Sequence, residues 1–419
     1  MRNACRERYD VKRTSRWIGL AAGGAALVLA ACGGGEAADA GATVRDSAGV
    51  EIIENMGPAW KDGTGWRVAD TPDVDIGVLE GADEYQLFQV RDAKRLADGR
   101  IVVANGGTNE LRFYDRDGTY LASAGREGGG PGEFQQVGWM RTFGGDSLMV
   151  YDFSLGRISV FDAEGTFARS FKITPVGEAN FVIGVDVFSD GMVLAKSPLI
   201  FAGGIENGLN RRDELFQTHT ATGEPVDSLG AFPGPDQFIE SGGSGNRRYI
   251  AVTSLPFGRS PAAAVYNTQF CFGASDTYEI ACYDRNGSLR RVVRRAVPPR
   301  PVTSADIEAY QAGELSQIDD ADQRRDAERR YDEMPVPETM PAYTTFMFDG
   351  AGDLWVREFT VGEAATWPWT VFDPDGRMLG TVALPADFRV TQIGDDFVLG
   401  LWRDDLEVEH VRLYRLVKE

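Results

Sequence analysis

A five-residue phrase, an aromatic residue or His followed by turn formers and closed by Gly, recurs along the chain. It stands at Tyr114 to Gly118, Phe161 to Gly165, His219 to Gly223, Tyr283 to Gly287 and Phe372 to Gly376. A sixth copy stops short, because Val411-Arg412-Leu413-Tyr414 repeats Leu111-Arg112-Phe113-Tyr114 just before the last residues. A period of roughly 40 to 50 residues marks propellers and solenoids, whose units bury a core only by stacking on one another. Around each phrase lie runs of four to six β-branched or aromatic residues bounded by turn chemistry, such as Ile101-Val102-Val103-Ala104 after Asp98-Gly99. Each unit therefore reads as a meander of short antiparallel strands. Six units predict an all-β, six-bladed β-propeller of four-stranded antiparallel blades. The sixth unit lacks an outer strand, and Trp66-Arg67-Val68 or Asp73 to Val78 is the expected donor, since closure removes an exposed sheet edge.

The link Gly125 to Phe134, ending in Gly132-Glu133-Phe134, is followed by Leu148-Met149-Val150-Tyr151-Asp152 and then Arg157-Ile158-Ser159-Val160-Phe161-Asp162. This pattern resembles the NHL repeat, and residues 66–419 are similar to the six-bladed NHL-like or TolB-like propellers of bacterial envelope lipoproteins. The resemblance is close in blades one and two and partial in five and six. In blades three and four it decays: His219-Thr220 replaces aromatic-Asp, and Ser197 to Leu215 and Phe232 to Tyr249 read as long irregular loops. A charged segment with helical spacing, about 303–333, interrupts the period and predicts a short helical insertion between blades four and five, with Thr303 or Ser304 as N-cap.

The first 16 positions are rich in Arg and Lys, an apolar stretch follows, and Leu29-Ala30-Ala31-Cys32 resembles the lipobox of bacterial lipoproteins. The resemblance implies a signal peptide over 1–31, lipidation of Cys32 and a membrane partner through that lipid. Gly33 after the Cys favours the outer membrane if the cell is Gram-negative. Residues 32–49, poor in large apolar side chains, are expected to be a flexible tether before a propeller over 50–419. The formal charge is −20 with no polybasic block beyond the leader, which excludes a nucleic-acid partner. Cys271 and Cys282 align with facing strands of blade two and are a disulfide candidate in an oxidising compartment.

Catalytic constellations are scarce. The chain has two His, His219 and His410, so a three-His zinc site is excluded. His219 takes the slot of a packed aromatic residue, and His410 flanks the last strand. No catalytic residue is assigned. Lactonase-like six-bladed hydrolases hold Ca²⁺ in their channel with oxygen ligands, and Asp92, Asn105, Asp152, Asp186 and Glu358 near inner-strand ends are the matching metal candidates. Arg211, Arg212, Phe232, Phe238, Arg247, Arg248 and Trp367 are candidate ligand contacts on long loops. The reading is a monomeric, non-catalytic binding platform for an envelope protein, peptide or glycan. A Ca²⁺-dependent lactonase or esterase, or a structural part of an envelope complex, is the alternative.

Overall fold

The computed structural model describes residues 41–61, 63–176, 181–198, 206–244, 247–362 and 364–418. The signal segment and Cys32 lie outside them. A hairpin of β1 (Ala42–Ser47) and β2 (Val50–Asn55) comes first, then two short strands, β3 (Arg67–Val68) and β4 (Val74–Ile76). Sheet 1 is β5 to β8 (Val90–Arg95, Ile101–Asn105, Glu110–Tyr114, Tyr120–Ala124), and sheet 2 is β9 to β12 (Val137–Phe143, Ser147–Asp152, Arg157–Phe161, Phe167–Lys172). Sheet 3 contains β13 (Ile183–Val187), β14 (Val193–Pro198), β16 (Glu214–His219) and β17 (Pro225–Phe232). The intervening β15 (Gly208–Asn210) joins β18 (Gln237–Ser244) and β19 (Arg247–Ser254) in a separate cap sheet. Sheet 4 is β20 to β23 (Ala262–Tyr266, Gln269–Gly273, Glu279–Asp284, Leu289–Arg295), followed by helices α1 (Ser304–Ser316) and α2 (Ala321–Glu333). Sheet 5 is β24 to β27 (Tyr343–Phe348, Leu354–Glu358, Thr366–Phe372, Met378–Pro385), and sheet 6 opens with β28 to β30 (Arg389–Ile393, Phe397–Arg403, Glu409–Val417).

The recurring phrase forms the turn between the third and fourth strands of a sheet. Asp115 Oδ1 accepts from the backbone N–H of Asp117 and Thr119, and Asp162, Asp284 and Asp373 repeat the arrangement. Gly118 closes the turn at φ 86°, a conformation in which glycine meets no Cβ penalty. In sheet 3 the hydroxyl of Thr220 does the aspartate's work on Thr222 and Glu224, so the altered phrase keeps its turn.

Successive sheets pack face to face, and the core lies between them. Val102, Leu111, Met140 and Leu148 are fully buried between sheets 1 and 2; Ile76, Val103, Leu399 and Val411 close the last sheet against the first. The fold is an all-β propeller. At the closing seam β4 pairs with β30 through Val411↔Ile76 and Leu413↔Val74, and β3 pairs with the same strand through Val68↔Leu416. Both expected donors are used.

The N-terminal segment reaches further than the sequence suggested. Ala42–Ser47 form a strand where a tether to residue 49 was expected, and β2 adds in parallel to β23 at the outer edge of sheet 4. Asn55 is buried there, donating from Nδ2 to Arg294 O and Gly376 O and accepting from Met378 N. Ala59 and Trp60 then bond to Met378 O and Leu379 O of sheet 5, with Trp60 lying where a Cβ on Gly380 would stand. Residues 41–61 and 63–76 are thus a strap across the outer edges of sheets 4, 5 and 6. Removing residues 66–78 is expected to abolish the cooperative thermal transition, followed by circular dichroism; an unchanged transition contradicts this role for the closing strands.

The same seam holds a carboxylate pair. Asp349 accepts from Trp355 Nε1 and lies 3.4 Å from Lys418 Nζ, which also stands 3.8 Å from Asp353 and 4.0 Å from the centre of the Trp66 ring. Burial, reinforced by Asp349 and only partly offset by Lys418, pushes the Asp353 carboxyl up to about 7. A carboxyl raised on folding contributes stability at low pH that is lost as pH climbs from its unfolded value toward 7. The melting temperature should therefore fall between about pH 4 and about pH 7, and Asp353→Asn should flatten that slope.

Candidate functional site

In an antiparallel meander the first and third turns of a sheet lie at one end, and the second turn and the link to the next sheet lie at the other. The repeated Asp and Gly turns occupy the first end. All of the long segments therefore emerge at the second: β15 within sheet 3, the β18–β19 hairpin between sheets 3 and 4, and the two helices between sheets 4 and 5. Thr303 caps α1, its hydroxyl accepting from Asp306 N while the Asp306 carboxylate returns to Thr303 N. Such a capping box fixes where the helix starts. Helices and hairpin pack on each other: Phe238, Leu255 and Met334 form a small core against Tyr331, and Arg330 Nε bonds Glu240 at 2.8 Å. Phe257 links this cap to the propeller, its ring 5.5 Å from Tyr310 and 6.3 Å from Phe359. It holds φ 55° while buried, a strained conformation for a bulky residue that persists only where its surroundings enforce it.

Two adjoining cavities open beneath the cap. The larger, 360 Å³, is lined by Tyr278, Val297, Pro298, Pro299, Met340 and Phe359, with Arg295 and Glu358 among six charged residues in its wall. The smaller, 220 Å³, contains Arg211, Asp236, Phe257 and Arg259 and shares Asp276, Met340 and Pro341 with the first. Glu358 Oε1 accepts from Tyr278 Oη at 3.0 Å, from Arg295 Nη1 at 2.7 Å and from the Thr370 hydroxyl. Burial, with Glu358 beside it, holds the Tyr278 phenol far above its ordinary range, so it is a neutral donor. In the smaller cavity Asp236 lies 3.1 Å from Arg211 Nε and 3.4 Å from Arg259 Nη2. The larger cavity sets an apolar patch beside converging charged groups, as small-ligand pockets do, whereas charged residues form half of the smaller one's wall.

Of the candidate metal residues, Asp92 and Asp186 meet at one arginine, and all five are engaged by protein partners. Asp92 and Asp186 both flank Arg141: Asp92 Oδ2 lies 3.1 Å from Nη1, and Asp186 Oδ1 lies 2.7 Å from Nε. Asp92 Oδ2 also accepts from Met140 N, Asp186 Oδ2 from Val265 N, and Lys94 stands 3.0 Å from Asp92. Asp152 caps Gln135, Gln136 and Leu155, and Asn105 bonds Phe88 N and Thr108. Among the described residues no three His, Cys, Asp or Glu side chains gather as a metal-binding group.

The ligand-contact candidates divide. Arg211 lines the smaller cavity and Trp367 another at the edge of sheet 5. Phe232 is instead buried at the end of β17, within 5.5 Å of the Phe216, Phe270, Phe272 and Tyr283 rings, and Phe238 is buried in the cap. Both lie in strands longer than the loops expected there, so their rings are turned inward. Arg212 N bonds Asn210. The side chains of Arg247 and Arg248 lie outside the described set. Cys271 and Cys282 face each other on β21 and β22 and are bonded, S–S 1.98 Å. His219 is buried on β16 with Nε2 2.9 Å from Thr174 O, and burial lowers its pKa; His410 Nδ1 meets Asp75 at 2.7 Å. Sequence reading missed Arg295, Tyr278, Phe257, Asp236 and Arg259. The one trace of Arg295 is the run Arg290-Arg291-Val292-Val293-Arg294-Arg295, ordinary for an outer strand.

The profile of the family described as DUF5128, a 6-bladed beta-propeller, matches residues 70–185. No curated protein sequence matches. Among solved structures, a Bacteroides fragilis protein described as exported aligns at 11% identity over 88% of this chain and 99% of its own, with a TM-score of 0.46. A DUF4221 member from Bacteroides vulgatus gives 10%, 85%, 99% and 0.48. A Xanthomonas campestris gluconolactonase gives 14%, 78%, 87% and 0.37.

Arg141 ties two carboxylates that are 7% and 13% exposed. Arg141→Ala leaves both without their shared cation, and breaking a buried pair in this way costs about 3 to 5 kcal/mol. Urea denaturation of wild type and variant measures it. A loss below about 1 kcal/mol, the ordinary worth of an exposed pair, contradicts the assignment.

Proposed function

We propose that the chain is a six-bladed propeller, sheets 1 to 6 being its blades and α1–α2 an insertion between blades four and five, and that it acts as a binding platform. The observation carrying this reading is the pair of joined cavities under the cap. Their wall combines an apolar surface of Pro, Met, Phe and Tyr with the Arg295–Glu358 and Arg211–Asp236–Arg259 clusters, which orient a ligand without supplying a nucleophile. The shape, two lobes meeting at Asp276, Met340 and Pro341, suits an extended ligand such as a peptide segment better than a compact one. The carboxylates that a Ca²⁺-dependent hydrolase needs are committed to protein partners, Asp92 and Asp186 to Arg141 and Glu358 to Arg295, so no observation favours that reading over binding. The leader and Cys32 support an envelope protein held by a lipid, with Gly33 favouring the outer membrane; the repeat pattern supports the NHL-like or TolB-like relationship.

The test is a peptide-library screen by thermal shift on the purified protein. Peptides that raise the melting temperature are expected to lose their effect in Ala342→Trp, which fills the larger cavity from its wall. Binding unaffected by that change, or turnover of lactones and esters lost on chelation, would sink the platform reading.

A further inference from the structure

Sheet 5 carries two consecutive charged residues on opposite faces. Leu354 and Val356 pack in the core shared with sheet 4, and Trp355 packs in the core shared with sheet 6. Strand alternation therefore places Glu358 toward sheet 4, where Arg295 neutralises it, and Arg357 toward sheet 6. Arg357 lies directly across from Trp369 on β26. Its guanidinium carbon stands 3.6 Å from the centre of the Trp367 ring.

Arg357 has no carboxylate partner among the described residues, and its Nε is buried without an acceptor. Trp367 Nε1 is also buried without an acceptor. Burial pushes the Arg357 guanidinium down to about 10, with no neighbouring carboxylate acting against it. Two orphaned donors, one of them charged, are thus held together by stacking. Leaving them so is costly, because a buried cation or N–H without an acceptor keeps its desolvation penalty. The Trp367 ring also lines a 580 Å³ cavity whose other walls are Gly362, Ala364, Ala365, Ala386 and Asp387. Small side chains leave room beside the ring for a ligand.

We propose that Arg357 and Trp367 form a carboxylate-binding site on the face of sheet 5 turned to sheet 6, separate from the cavities under the cap. A planar guanidinium whose face is covered by an indole offers its edge, which matches the two oxygens of a carboxylate. The Trp367 N–H supplies a further donor. One cation suits a monoanion. A phosphate dianion would leave excess negative charge beside Asp387, which lines the cavity and makes no ion pair with Arg357 among those the structure records. The carboxylate belongs either to a small free acid or to the C-terminus of a peptide.

Isothermal titration and thermal unfolding of the purified protein test the site. The probes are acetate, benzoate and Ala-Ala-Phe with a free or amidated C-terminus, against chloride and inorganic phosphate at equal ionic strength. Carboxylates are expected to raise the melting temperature where chloride and phosphate do not. Benzoate active with the tripeptide inert identifies a small acid; the free tripeptide active and its amide inert identifies a chain terminus. Trp367→Phe keeps the stack but removes the N–H, and should weaken binding roughly fivefold, the worth of one net hydrogen bond. Arg357→Gln should abolish the response. Because it removes an unpaired, partly buried charge, it should also leave the ligand-free melting temperature at or above that of wild type. A carboxylate response that persists in Arg357→Gln, no response in wild type, or an Arg357→Gln protein that melts far lower or does not fold would overturn the proposal.

Discussion

The propeller depends on a chain of buried charge that crosses its inner strands. Hydrophobic cores between sheets bury area, but burial is non-directional and does not by itself set one sheet's position on the next. The inner strands also bulge, at Val90/Asp92 and at Gly184/Asp186, which breaks the ladder where successive sheets come closest. Both bulges carry an aspartate that does the same two jobs. One oxygen accepts from the following residue's N–H, Ala93 or Val187. The other accepts from the inner strand of the next sheet, at Met140 or Val265. Arg141 stands between the two carboxylates, and Lys94 extends the chain from Asp92 to Thr391 O of sheet 6. Two cationic and two acidic side chains balance in formal charge within this network. Register between sheets is then fixed by directional bonds.

What was legible in the sequence is what is local. The Asp-x-x-Gly turn specifies itself within five residues, so its copies counted the sheets and the interrupted last copy pointed to Trp66 to Val78 as the missing strand. The strap was illegible for the opposite reason. Residues 42–47, Ala-Thr-Val-Arg-Asp-Ser, have little apolar surface and read as a tether, yet they need little, since they are held by ladder bonds to β2 at an outer edge. β2 in turn pairs in parallel with β23, Glu51 with Arg291 and Asn55 with Arg295, and no short-range pattern encodes so distant a partner. Asn55 shows the difficulty well: a lone Asn in a sequence reads as turn former, and here it is buried, bridging two sheets through three backbone groups.

The candidate site was legible in location and mostly not in residues. The decay of the phrase in blades three and four marked the region where the cap sits, because a chain that departs from its own repeat is no longer constrained by stacking alone. Within that region aromatic residues were read as exposed. Phe232 and Phe238 are not, because β17 and β18 each run eight residues, longer than the repeat's usual strands, and carry their rings into cores. Asp92 and Asp186 were seen as ligands because carboxylates at inner-strand ends suit a cation. The cation they meet is Arg141, whose meaning depends on two residues nearly fifty positions away on either side.

The contrast between Arg141 and Arg357 carries the argument from architecture to function. Both are arginines on strands facing a neighbouring sheet, and both are partly withdrawn from water. One is enclosed by two carboxylates and a carbonyl; the other has an indole over its face and nothing at its edge. Glu358, the next residue along the strand, turns to the opposite face and pairs with Arg295 of sheet 4, so the nearest carboxylate in the sequence is not offered to Arg357. The unpaired guanidinium is covered by the Trp367 ring of the paired strand β26 and lies two residues along β25 from Trp355, which packs in the core shared with sheet 6. Energetic cost is tolerable where the surrounding structure holds the group in place, and a site of this kind belongs where the scaffold is stiffest.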